Sequence, residues 1–130
     1  MILNISNKPT TEEEISAGVV EIESSSQAQI LGEAHHFESE VTHELLMKSA
    51  RQLADIMHQY DPHITNEITF LVGGNPALMT YLTLYAPIYK MVFSEHKKTV
   101  KTVFMPDGIR YSTSTTYKHM GFTPMYCPDF

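Results

Sequence analysis

The sequence predicts an α/β domain with a mainly parallel sheet, flanked by helices and closed by a C-terminal antiparallel hairpin. Three observations predict it. Apolar, β-rich segments at residues 2–5, 67–72 and 89–94 are separated by helical patterns. Strands separated by helices pair in parallel through crossovers. Past residue 96 the pattern changes to two loosely alternating segments around Pro106-Asp107-Gly108, the signature of a hairpin.

The elements follow in order. Ile2 to Ile5 is a buried strand that ends in the loop residues Ser6-Asn7-Lys8-Pro9. Thr10 or Thr11 ahead of Glu12, Glu13 and Glu14 is a helix start, with a hydroxyl cap and acids in the first turn. Ile15, Val19 and Ile22 extend that helix at spacings of four and three, although Gly18 weakens it. Ser24-Ser25-Ser26-Gln27 reads as a mobile loop, and residues 28–38 carry no clear pattern.

Residues 40–60 hold the strongest helix, with Leu46, Ala50, Leu53, Met57 and Tyr60 on one stripe widened by Leu45 and Ile56. Asp61-Pro62 ends it. A strand at 67–72 leads into Gly73-Gly74-Asn75-Pro76, where Asn75 is a cap and Pro76 the first helical residue. The helix 76–87 carries no charge, so it is buried in the domain or at a subunit interface. A strand at 89–94, a loop at 94–97, and hairpin strands at 97–105 and 109–117 complete a Rossmann-like sheet.

The length of 130 residues suits one domain, 1–130. No apolar run reaches the roughly 18 residues of a membrane span, and the start lacks a secretory signal. With the single Cys127, no intrachain disulfide or cysteine zinc cluster is expected, and the cytoplasm is the expected location. The net charge of −6 argues against general DNA or RNA binding. That charge is unevenly spread: residues 1–67 hold twelve acids against three bases, and residues 88–121 hold six bases against two acids. A basic region on an acidic protein attracts a small anion or an acidic partner, or it faces the protein's own acidic helices.

In an open sheet, ligands sit beyond the carboxyl ends of the strands. The loops Ser6-Asn7-Lys8, Gly73-Gly74-Asn75 and Ser94-Glu95-His96-Lys97 all follow strands, so parallel pairing makes them converge. The glycines let backbone amides approach a phosphate, yet neither GxGxxG nor a P-loop lysine is present, and a tight turn explains them equally well. Lys118 and His119, after the final strand, are a charge stabiliser and an acid or base. His43-Glu44 begins a zincin pattern whose second ligand position is Met47, so that site is rejected. His35 and His36 with nearby acids offer a weaker hydrolase reading, because adjacent histidines on regular structure point different ways.

Four segments together resemble a family of small uncharacterised bacterial and phage proteins. They are Ile2 to Glu13 with Ala17-Gly18-Val19-Val20; Val72 to Met79; Val92-Phe93-Ser94-Glu95; and Met105-Pro106-Asp107-Gly108 with Tyr117 to Phe122. The first strand and turn are also similar to CRISPR-associated, CARF-like Rossmann proteins and ring nucleases, which bind or cleave cyclic oligoadenylate. This resemblance implies a homodimer with a nucleotide site and no metal or other cofactor. It implies Ser6, Asn7, Gly73, Gly74, Asn75, Ser94, Glu95 and Lys118 as ligand-binding residues, and Lys8 and His119 as catalytic ones. Where that family has a first-loop His, this chain has Lys8, which suits holding a phosphate better than moving a proton. The alternative is a non-enzymatic interaction protein whose basic hairpin binds an acidic protein.

Overall fold

The computed structural model describes residues 1–38 and 40–125; Cys127 lies outside them. The described elements are β1 (Ile2–Asn4), α1 (Glu12–Ser16), β2 (Val19–Glu21), α2 (Ser25–His35), α3 (His43–Tyr60), β3 (Thr69–Leu71), α4 (Pro76–Tyr85), β4 (Lys90–Phe104) and β5 (Tyr111–Pro124). They form an α/β fold around a five-stranded mixed sheet in the order β2-β1-β3-β4-β5. The first four strands are parallel, and β5 is antiparallel to β4.

The two-residue period of the strands sorts their side chains. Leu3, Ile5, Phe70, Val72 and Met91 join Ala50, Leu53, Ile56 and Met57 of α3 and Leu78, Met79 and Leu82 of α4 in one core. The stripe expected on α3 is therefore the one that packs. Tyr89 meets Phe70 edge to face across this core, with ring centroids 5.6 Å apart. Asp61 caps the exit from α3. Its carboxylate accepts from the Thr65 and Asn66 amides and the Thr65 hydroxyl, which shapes the turn into β3.

Several expectations are corrected. The helix that starts at Thr11 stops at Ser16, because Gly18 turns the chain at φ +98°. Val19 consequently opens β2, paired with Ile2, and Ile15 is exposed. The serine run is no loop: Ser24 caps α2, and Ser25 to Gln27 form its first turn. The segments at 89–94 and 97–105 are one continuous strand, so the loop expected at 94–97 is instead a register irregularity between Glu95 and His96. The uncharged helix α4 buries Leu78, Met79 and Leu82 in its own domain and leaves Leu84 54% exposed. The sheet, parallel through its first four strands and antiparallel at β5 as expected, is mixed and not plainly a Rossmann sheet.

Beyond the body, β4 and β5 run on together as a two-stranded arm. Residues 95–118 are exposed on both faces, Val100, Val103, Phe104 and Tyr111 among them. Asp107 pins the tip by accepting from the Ile109 and Arg110 amides and pairing with the Arg110 guanidinium.

Candidate functional site

The first loop owes its shape to Asn4, which is buried at the end of β1. Its amide nitrogen donates to the Lys8 carbonyl at 3.0 Å and to the Thr10 hydroxyl at 2.9 Å. Its carbonyl oxygen accepts from the Ser6 amide at 2.9 Å and the Ser6 hydroxyl at 2.6 Å. One side chain thus uses its full capacity to fold residues 6–10 back over the strand end. Sequence reasoning passed over Asn4 because a polar residue in a short apolar strand carries no spacing signal.

The second loop packs against the first. The Asn7 amide donates to the Gly73 carbonyl, and Gly73 lies beside Ser6. Gly74 sits at φ +138° against the His35 ring and Asn7, so its lack of a side chain is required. His35 reaches in from the end of α2 and hydrogen-bonds the Ile5 carbonyl at 2.9 Å. Burial lowers the affinity of His35 for a proton below the ordinary histidine value, and the bond to Ile5 opposes this only in part. His36 instead is exposed and pairs with Glu38, so the two adjacent histidines turn to different partners.

The three segments converge. A cleft of about 200 Å³ is lined by Ser6, Asn7, Lys8, Gly73, Gly74, Ser94 and His96, with Thr11 and Glu14 of the α1 turn. Residues 6–9 form the wall between this cleft and a neighbouring cavity of about 490 Å³ that reaches α2. Lys8, Thr11 and His96 also border an open groove of about 810 Å³ that runs to Tyr117 on the arm. Three other expected residues stand apart. Asn75 accepts from the Ala77 and Leu78 amides, so its oxygen is committed to capping α4. Glu95 faces Thr123, which donates to it. Lys118 pairs across the arm with Lys97 and is exposed.

Glu14 and His96, which line the cleft, meet His119, which does not. A carboxylate oxygen and one ring nitrogen from each histidine all lie within 4.8 Å of one another. Strand pairing brings this about: His96 is the β4 partner of His119, and their rings are 5.4 Å apart. Ser94 bonds His119 Nδ1 at 3.0 Å, and the His119 amide donates to Glu13 at 2.8 Å, tying the arm to α1. Glu14 is held by a capping box, in which its Oε1 accepts from the Thr11 amide at 3.0 Å. Burial pushes the Glu14 carboxyl up. Hydrogen bonding from Thr11 and Ser94 and the charge of nearby His96 outweigh this and hold it below its ordinary value.

Neither Glu14 nor His96 was singled out from the sequence. The signal available was the capping box, which reads as purely structural, and a His in a segment expected to be a loop. Comparison of the chain with protein-family models, curated proteins and solved structures returns no match. Among the described residues, no helix is long and apolar enough to cross a membrane.

Proposed function

We propose that the protein binds a nucleotide, with a phosphate in the cleft under Lys8 and the nucleoside in the adjoining groove. The observation that carries this reading is the convergence of two loops and a segment of β4, far apart in sequence, on one cleft. The strand order supports it further: read as a doubly wound, Rossmann-like sheet, β1 and β3 flank the point where strand order reverses, the usual ligand position in such folds. The narrow cleft suits a phosphate, and the 810 Å³ groove has room for a base and ribose. Lys8 supplies positive charge and His119 an acid–base group for attack of a ribose 2′-hydroxyl on the adjacent phosphate, which closes a 2′,3′-cyclic phosphate and breaks the bond to the next nucleotide's 5′-oxygen, released as a hydroxyl. That is the chemistry implied by the resemblance to ring nucleases, with cyclic oligoadenylate as the first substrate to try.

The test is thermal melting with mononucleotides, cyclic dinucleotides and cyclic oligoadenylates, repeated on Lys8→Ala. Ligand at 100 times its Kd stabilises by about 2.7 kcal/mol, or roughly 10 °C for a chain of this length. Lys8 is exposed, so Lys8→Ala should abolish that shift without lowering the unliganded Tm. Absence of a shift with every nucleotide refutes the reading.

A second reading rests on the arm. An isolated two-stranded hairpin is marginally stable in water, and this one is apolar and basic with both faces open. The acidic first half of a second copy has the complementary charge, which favours a homodimer embraced by arms. Sedimentation velocity should give a dimer that dissociates as salt rises; a monomer at all concentrations refutes it.

A further inference from the structure

We infer that Glu14, His96 and His119 form a binding site for a divalent transition metal, zinc being the best match. The assignment stands apart from the nucleotide reading, and with an ion bound these three side chains would ligate it rather than move protons. It starts from the donor set: two imidazoles and one carboxylate, each able to turn one donor atom to a common point, since those atoms lie within 4.8 Å of one another. Zinc takes nitrogen and oxygen ligands at about 2.0–2.1 Å, which places tetrahedral ligands about 3.3 Å apart. The donors therefore need to close by side-chain rotation, and exposed His96 is free to supply it. Magnesium and calcium favour all-oxygen sites, so two imidazoles select against them.

Three features around the cluster are those of a built site. Ser94 engages His119 Nδ1, fixing the ring and leaving Nε2 to act as donor. His119 Nε2 is in fact buried and has no hydrogen-bond partner, a costly state that a metal ion removes. Glu14 is positioned by the capping box through Oε1 and by hydrogen bonding from Ser94, so its carboxylate is held in place beside the two imidazoles. The Glu13 contact to the His119 amide holds α1 against β5, so the carboxylate and the imidazoles keep their spacing.

Three protein ligands leave a fourth position open, the arrangement of sites where zinc acts on a bound molecule rather than only stabilising a fold. Glu14, Ser94 and His96 line the cleft, so that position faces it. With the ion in place, a wall that is negative at Glu14 becomes positive, which favours an anion there.

The experiment is zinc titration of chelator-stripped full-length protein by calorimetry, with metal content measured after dialysis. One zinc per chain is expected. His96→Ala and His119→Ala should each weaken binding by more than the 10–100-fold typical of losing an outer-shell partner, and Ser94→Ala by about that 10–100-fold. Cobalt in place of zinc should give the visible absorption of a four-coordinate site. His36→Ala, at the surface pair with Glu38, should leave affinity unchanged. Because His96 is exposed, His96→Ala keeps the test decisive even if His119→Ala fails to fold. Failure of the wild type to retain zinc overturns the assignment, as does undiminished affinity in His96→Ala.

Discussion

Gly73 and Gly74 look alike as a sequence pair, but the structure gives them opposite sensitivity to substitution. An added Cβ at Gly73 meets only the Ser6 Cβ, at the ordinary contact distance of 3.5 Å. At Gly74 it approaches His35 Nδ1 to 3.1 Å and Asn7 Cγ to 3.4 Å, on a backbone at φ +138°. A non-glycine residue in that region costs about 1–3 kcal/mol before any contact is relieved. Unfolding entropy near 2.1 cal/mol/K per residue gives a 130-residue chain about 0.27 kcal/mol/K. Gly74→Ala should therefore lower Tm by about 4–11 °C. Gly73→Ala should leave Tm unchanged or raise it by up to about 4 °C, because alanine restricts the unfolded chain by roughly 0.4–1 kcal/mol. Circular dichroism melts of both variants, with urea unfolding midpoints alongside, check this. Equal losses in the two variants, or a wild-type melt for Gly74→Ala, would refute the argument that loop packing rather than ligand approach requires the glycine.

Two further outcomes follow from the same region. Asn4→Ala deletes four hydrogen bonds at a buried position and should destabilise by about 1–3 kcal/mol. It should also speed amide exchange across residues 6–10, which hydrogen-exchange mass spectrometry reads directly. His35 takes up a proton more readily in the unfolded chain than in the fold, so its contribution is intact above the ordinary histidine value, about 6.5, and is lost progressively as pH falls from there through its lowered folded-state value. Melting from about pH 8 to 5 should show a drop that is shallower in His35→Gln; identical pH profiles would remove His35 as the source.

Local periodicity and turn chemistry made much of the body legible. The stripe on α3 is a strong period-3.6 signal, and the cap at Asn75-Pro76 is a local event that needs no distant partner. The misread elements were those whose local signal had a rival. Val19 and Ile22 have helical spacing from Ile15, yet β1 offers Val19 a strand to pair with, and Gly18 provides the turn. The serine run had no apolar pattern, and α2 forms around its Ser24 cap and its packing on α3.

By itself, the sequence determined the α/β class, helices α3 and α4, the closing hairpin and the loops after β1 and β3, because these follow from nearest-neighbour chemistry along the chain. Only the tertiary structure decided which side chains cluster beside the cleft. Glu14 is 82 residues from His96, and His96 is 23 from His119, so no spacing rule links them. They meet because the α1 cap aims Glu14 at the sheet and antiparallel pairing sets His119 beside His96. That is a matter of register and packing, which one-dimensional patterns do not encode.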